Sequence, residues 1–280
     1  MATLLPVPHM YVEKYLIEER IAWFIKNKYK PLCKLKNKSE RKFIFIEKEH
    51  FQNFIFLANT KGGPDGAVRI YFASYPNDNS APKGFEDLLT LIFVPAEKKG
   101  QEHSDLEGQY YDFDPISGHF QKLSYSVAST SVSKFQKNDL KELNKTVDTP
   151  EGDTKSIIYT IKKLLELSEE MDYQKASGVK IYFSSYRNID TDHSRDQYPK
   201  QLILQFVLTE LIGNSHEDFF IDEREDFPQR ERQMKIINNQ ADLINKEVSK
   251  VDSLIKLLGT DSFDTGSPCP PATCGQTKLP

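Results

Sequence analysis

An internal repeat is the feature of this sequence that most constrains its fold. Residues 68–75 read Val-Arg-Ile-Tyr-Phe-Ala-Ser-Tyr, and residues 179–186 read Val-Lys-Ile-Tyr-Phe-Ser-Ser-Tyr. Six of the eight positions are identical, and the other two differ conservatively. Repetition of this kind is typical of a chain that carries two copies of one supersecondary unit.

The segments around the two octamers also correspond. An amphipathic helical pattern precedes each octamer, and a short apolar strand follows each one, at 89–94 and at 202–207. A further helix is predicted at the start of each copy. The sequence therefore predicts an α+β fold, a tandem repeat of a two-helix plus small-sheet module, with the modules at 1–125 and 126–227 and a long C-terminal helix after them.

The octamers supply the candidate site residues. Alternation along a strand places Val68, Ile70 and Phe72 on one face, which we predict to be core. The opposite faces carry a cation and two tyrosines in both copies: Arg69, Tyr71 and Tyr75, then Lys180, Tyr182 and Tyr186. This pattern suits a groove that binds an anionic or peptide ligand. Alternatively, the tyrosines pack beneath a helix while the head of the cation reaches water.

A heptad pattern fills residues 228–258. Its apolar positions recur at alternating steps of three and four: Met234, Ile237, Ala241, Ile244, Val248, Val251, Ile255 and Leu258. A helix over 229–258 would be about 45 Å long. It could form a coiled coil with a protein partner or with a second copy of this chain, or it could fold back along the two modules.

The last segment, 259–280, is a Cys-Pro tail that we expect to be flexible. Cys269 and Cys274 are weak candidates for a metal site, because two sulfur ligands need others from elsewhere. Incidental thiols and a redox pair are the alternatives.

Composition limits the partners. The net charge of -4, with 28% charged residues, gives no global field that would attract nucleic acid or an anionic membrane. No window approaches eighteen uninterrupted apolar residues, the start of the chain lacks a basic leader region, and cysteines are few, so we expect a cytoplasmic protein. The basic segment 26–42, the acidic segment 217–226 and the group Glu102, His103 and Asp105 are interpreted as solvated surface.

The sequence contains no nucleophile elbow, metal motif or phosphate-binding glycine loop, so we predict no catalytic residue and no cofactor. The leading hypothesis is a non-enzymatic protein-interaction or scaffold module that can also self-associate. The alternative is a ligand-sensing or enzymatic module with its site between the two repeats, formed by Arg69, Tyr71, Lys180 and Tyr182.

Three short motifs resemble a family of uncharacterised proteins frequent in Bacteroidetes, particularly flavobacteria. They are the Val-Arg-Ile-Tyr-Phe strand, the Phe-Val-Pro that ends the following strand, and the terminal Pro-Cys-Pro-Pro-x-x-Cys. The family members resemble one module with the cysteine tail, so this chain looks like a duplicated member with an added heptad helix. The resemblance implies no activity, ligand or site residue.

Overall fold

The first half of the chain alternates helices with strands. The computed structural model of the protein describes residues 14–78, 80–186, 200–219, 267–268 and 278–279. Its first elements are α1 (Lys14–Phe24), a π-helical turn (Ile25–Tyr29), α2 (Lys30–Lys36), β1 (Phe43–Glu47), α3 (Lys48–Gly62) and β2 (Ala67–Ser74). The strands β3 (Leu89–Lys99), β4 (Glu102–Asp105), β5 (Tyr110–Phe113) and β6 (Phe120–Leu123) follow.

The second half repeats this order. Its elements are α4 (Tyr125–Lys134), a π-helical turn (Phe135–Asp139), α5 (Leu140–Leu143), a 3-10 turn (Asn144–Thr146), β7 (Ser156–Thr160), α6 (Ile161–Tyr173), β8 (Gly178–Ser185), β9 (Leu202–Ile212) and β10 (Ser215–Phe219). A two-residue strand, β11 (Ser267–Pro268), lies near the end of the chain. In each half a helix interrupted by a π turn leads to a strand, a second helix and an antiparallel strand pair.

The strands form two antiparallel sheets that exchange strands between the two halves. The first sheet, called sheet A below, has the order β1-β8-β9-β10. The second, sheet B, has the order β11-β7-β2-β3-β5-β6, and β4 pairs with the end of β3. Strand β1 therefore pairs with β8 of the second half, and β7 pairs with β2 of the first half. The exchange is reciprocal.

The predicted fold class is wrong. Among the described residues, two antiparallel sheets dominate. The six α-helices form four helical segments, because a π turn joins α1 to α2 and another joins α4 to α5. The segments 1–125 and 126–227 each contribute strands to both sheets. The first strand of each half, β1 or β7, has the same alternation of apolar residues. The sequence of either strand therefore does not favour pairing within its own half over pairing with the other half. No long C-terminal helix occurs in the described ranges, and residues 228–258 lie outside them.

One hydrophobic core lies between the inner faces of the two sheets. Phe72 of sheet B and Phe183 of sheet A are fully buried, with ring centroids 6.3 Å apart. Phe24 stacks on Phe183, and Phe135 stacks on Phe72, so the interrupted helix of each half contacts the equivalent aromatic residue. The two halves consequently share one core.

The outer face of sheet B is also covered. A second apolar cluster contains residues of β2, β3 and β5, of helix α4 and of the chain terminus: Tyr71, Ala73, Ile92, Val94, Tyr110, Ala128, Val132 and Leu279. Every residue of β2 is therefore buried. Within the ranges listed above for the structure, no helix combines the length and apolar character that a bilayer span requires.

Candidate functional site

The first candidate site is a buried cluster on the outer face of sheet B, called the first polar cluster. Arg69 Nε donates a hydrogen bond to Asp105 Oδ1 at 2.7 Å, and the Tyr71 hydroxyl donates to Asp105 Oδ2 at 2.5 Å. A terminal nitrogen of Arg69 also donates to the carbonyl of His103 at 3.1 Å. The carboxylate of β4 thus locks two neighbouring side chains of β2.

Sheet A carries the same arrangement, called the second polar cluster. Lys180 Nζ donates to Asp218 Oδ1 at 2.8 Å, and the Tyr182 hydroxyl donates to Asp218 Oδ2 at 2.6 Å. The ammonium group also lies 5.1 Å from the centroid of the Phe43 ring, which is a cation–π distance. Each cluster therefore contains a cation, a tyrosine and an aspartate with matching roles.

Strand register explains why the two clusters match. Arg69 pairs with Val94 and Lys180 pairs with Val207, each on the strand that follows. Two residues further along those strands, Ala96 pairs with Asp105 and Thr209 pairs with Asp218. Because side chains alternate between the faces of a sheet, equal register places both aspartates on the same face as their cation.

The clusters differ in exposure. The side chains of Arg69 and Asp105 are 0% exposed, whereas those of Lys180 and Asp218 are 13% and 26% exposed. Residues 278 and 279 lie against the first polar cluster: the Lys278 backbone N–H donates to Asp105 Oδ2 at 3.1 Å, and Leu279 is buried at 3% exposure. Two residues of the chain itself, Lys278 and Leu279, therefore contact the first polar cluster.

Electrostatics keeps both tyrosines as hydrogen-bond donors. Burial raises the pKa of Tyr71, and the negative charge of Asp105 raises that pKa further. Burial also raises the pKa of Tyr182, and the hydrogen bond to Asp218 acts in the same direction. Each carboxylate accepts hydrogen bonds from a cation and from a phenol, which fix its position. The clusters are therefore suited to binding and positioning another group.

Tyr75 and Tyr186, predicted with the same site, lie at the far ends of the octamers. Both are buried, at 4% and 3% exposure. Tyr75 lies six residues beyond Arg69, about 20 Å along an extended strand. The structure therefore brings together the cation and the first tyrosine of each octamer, and it places the second tyrosine elsewhere.

The residues named for a shared cleft do not form one set. Arg69 and Tyr71 bond to Asp105 in sheet B, while Lys180 and Tyr182 bond to Asp218 in sheet A. A site between the repeats would need these four side chains to converge on one ligand.

The aspartates are the members of the two clusters that sequence reasoning missed. Asp105 was interpreted as solvated surface, and Asp218 as part of an acidic run, yet both bind the octamer side chains. A signal was present in the repeat: each aspartate follows the valine of the Phe-Val pair by eleven residues, since 105 − 94 = 11 and 218 − 207 = 11.

The basic segment 26–42 is also less solvated than predicted. The Lys28 side chain is fully buried in an ion pair with Asp153, and it also donates to Thr146 at 2.8 Å. Burial lowers the pKa of Lys28, although the charge of Asp153 opposes that shift. Lys36 pairs with Glu40 at 2.6 Å. These lysines bond to partners within the protein, so less of the positive charge of this segment is available to an external ligand.

Metal binding has no support among the residues whose placement the structure gives. Within those ranges, no group of three or more histidine, cysteine, aspartate or glutamate side chains could hold a metal ion. Cys269 and Cys274 lie outside the described residues, and Cys33 has a free thiol. The cysteine-pair hypothesis stays a prediction.

Comparison with known proteins adds no constraint. No protein-family model, no curated protein and no solved structure matches this chain. The resemblance to the Bacteroidetes family stays an expectation from the sequence.

Proposed function

We propose that this protein is a non-enzymatic interaction module that docks an extended segment of a protein partner on sheet A. The observation that carries the proposal is that two residues of the chain itself, Lys278 and Leu279, already dock on sheet B. Backbone N–H donation from Lys278 to Asp105, with Leu279 buried beside Tyr71, is a peptide-binding mode. The second polar cluster offers a lysine, a tyrosine and an aspartate at the equivalent positions, and its cation and aspartate are more exposed.

An edge strand with no described partner on its outer side supports the same proposal. In sheet B the outer edge of β7 pairs with β11, where Ser267 lies opposite Ile158. In sheet A the equivalent edge belongs to β1, and no described strand pairs with its outer side. Four of the five residues of β1 are apolar, although unprotected edges usually carry charges or proline. Addition of a strand from a partner would cover this edge.

The backbone of β1 is oriented for such an addition. Phe183 N donates to Lys42 O at 3.0 Å, and Lys48 N donates to Ser177 O at 3.1 Å, so the even-numbered residues of β1 bond to β8. Alternation in an antiparallel ladder then turns the N–H and C=O groups of Phe43 and Phe45 toward the outer edge. The position equivalent to Ile158, which faces β11, is Phe45.

Self-association and cellular location belong to the same proposal. The predicted partner helix, 229–258, lies outside the described residues, so self-association through it rests on its heptad pattern alone. We also propose a cytoplasmic location, which the small number of cysteines supports. Fractionation of the native cell, with detection in the cytoplasmic fraction, tests the location.

A comparison of variants tests the docking proposal. Proteins captured from the native cell by the wild-type chain should be lost with Asp218→Asn, which weakens the second polar cluster, and with Phe45→Pro, which removes the outward N–H of β1. Phe45→Ala removes the same ring but keeps the N–H, and Lys162→Met changes an exposed lysine elsewhere.

Capture should therefore be stronger with Phe45→Ala than with Phe45→Pro, and it should be unchanged with Lys162→Met. Circular dichroism confirms that each variant is folded. If folded Asp218→Asn and Phe45→Pro variants capture the same proteins as the wild type, the docking proposal is wrong.

A further inference from the structure

We infer that the tip of the hairpin formed by β9 and β10 contacts a partner protein that presents an apolar depression bordered by lysine or arginine side chains. Leu211 and Ile212 form this tip, called the apolar tip below, and they are 58% and 57% exposed. The inference rests on the proposed function, a protein partner on sheet A, and adds a second contact at the end of that sheet.

The repeat supplies an internal reference for this hairpin. Residues 207–218 correspond to residues 94–105 at a constant offset, and both segments form an antiparallel strand pair with its turn. Gly100 and Gly213 occupy the same position in the two turns, and their φ angles are 66° and 63°. The two hairpins therefore share one backbone form, so a comparison of their side chains is direct.

The side chains at the two tips differ in character. Lys98 and Lys99 occupy the positions of the first hairpin that Leu211 and Ile212 occupy in the second. Lys99 Nζ lies 2.7 Å from Glu97 Oε1, and both side chains are well exposed. The fold thus accepts charged, solvated residues at this turn, so the hairpin itself does not require the exposed aliphatic pair of the apolar tip.

The charges beside the apolar tip are not compensated. Glu210 lies directly opposite Glu217 in the register of β9 and β10, and both residues are exposed. Like charges at directly opposite positions of a strand pair are destabilising. Within the described ranges, no ion pair joins either glutamate to a lysine or arginine. In the first hairpin, by contrast, Glu97 lies opposite Ser104 and pairs with Lys99.

An exposed aliphatic pair beside two facing carboxylates defines the chemistry of the partner. Burial of the apolar tip in a depression would remove its apolar surface from water. Cations at the rim of that depression would relieve the repulsion between Glu210 and Glu217. A second copy of the chain, docked tip to tip, would bring the carboxylates of both copies together, and an anionic bilayer would meet the same negative charge. Charge therefore favours a basic protein surface.

Photo-crosslinking in the native cell identifies what covers the apolar tip. The full-length chain carries p-benzoylphenylalanine in place of Asn214, the exposed residue after the turn glycine, or in place of Gln101, the equivalent residue of the first hairpin. Irradiation should link position 214 to a partner protein, and mass spectrometry should place the link beside apolar residues that are flanked by lysine or arginine. Position 101 should not give that product.

An apolar variant tests the anchor. Leu211→Ser with Ile212→Ser, made in the chain that carries the photo-reactive group at position 214, should lower the yield of the crosslinked product by about tenfold, because anchor residues dominate the affinity of an interface. Circular dichroism should be unchanged, since both side chains are exposed.

A charge variant tests the basic rim. Glu210→Gln with Glu217→Gln should lower the yield by about threefold, because each lost ion pair is partly solvated. The matched change, Glu97→Gln with Glu102→Gln, removes the same charge from the first hairpin and should leave the yield unchanged.

The outcomes separate this inference from the docking proposal. No product at position 214, a product with lipid or with a second copy of the chain, or a linked segment without basic residues would overturn the inference. Equal yields from the charge variant and its matched control would also overturn it. If Asp218→Asn loses the partner while the apolar variant keeps the full yield, the docking function stands and the tip contact is wrong.

Discussion

Replacing Arg69 by methionine should cost far more stability than replacing Lys180 by methionine, although the two residues occupy equivalent positions in the repeat. Methionine keeps an apolar stem of similar length, so each change removes mainly the charge. The Asp105 partner of Arg69 would then be a buried carboxylate without its cation, while the Asp218 partner of Lys180 would still contact water.

The exposure of each pair sets the magnitudes. Breaking a buried ion pair by removing one partner costs about 3–5 kcal/mol, because the remaining charge stays desolvated. A pair that is partly exposed lies nearer to surface pairs, so its loss should cost about 1 kcal/mol. The Arg69→Met variant should therefore have a free energy of unfolding lower than that of Lys180→Met by roughly 3 kcal/mol.

Urea unfolding followed by circular dichroism measures both variants against the wild type, provided that the slope with denaturant is unchanged. In a thermal melt, the difference should appear as a melting temperature lower by on the order of 10 °C for Arg69→Met. Equal losses in the two variants, or a loss below about 1 kcal/mol for Arg69→Met, would refute the reasoning, because burial would then not determine the cost.

Three further changes test other parts of the structure. Burial raises the pKa of Asp112 to about 6, so the folded protein binds this proton more tightly than the unfolded chain. Stability should therefore fall by about 3 kcal/mol as the pH rises from about 3 to about 7, through both pKa values, and urea titrations should show that Asp112→Asn lacks this fall. Gly178→Ala should lower the free energy of unfolding by about 1–3 kcal/mol, because a Cβ there would lie 2.6 Å from the carbonyl oxygen of Ile46; a stability equal to wild type would show that the strands can separate. Leu279→Ala should cost about 2–3 kcal/mol through lost burial, whereas the matched Lys278→Ala keeps its backbone N–H and should cost less in the same denaturation assay.

The sequence predicted the local elements better than their assembly. Alternation in the octamers indicated strands, and β2 and β8 are strands. For the opposite face the alternation left two alternatives, a binding groove or packing beneath a helix, and in β2 helix α4 and Leu279 cover that face. Coverage by a segment that is distant in sequence does not change the pattern of apolar residues along the strand itself. The burial of Arg69 could therefore not be predicted from the residues next to it in sequence.

Strand exchange was equally hidden. Ile44 of β1 lies opposite Ile181, and Ile157 of β7 lies opposite Ile70, so the same apolar pairs would form in either pairing scheme. The aspartate partners could have been found, since the eleven-residue spacing after Val94 recurs in the second copy. Their acidic surroundings in sequence made solvation the simpler interpretation.

Amide hydrogen exchange along β1 tests the docking account most directly. In the free chain, the outward amides of Phe43 and Phe45 should exchange quickly, while those of Ile44 and Ile46, bonded to β8, should exchange slowly. Saturation with a peptide that has the sequence of residues 267–280 should slow exchange at Phe43 and Phe45 and leave the inward amides unchanged. Outward amides that are already as protected as Ile44 in the free chain, or that do not respond to the bound peptide, would contradict the account.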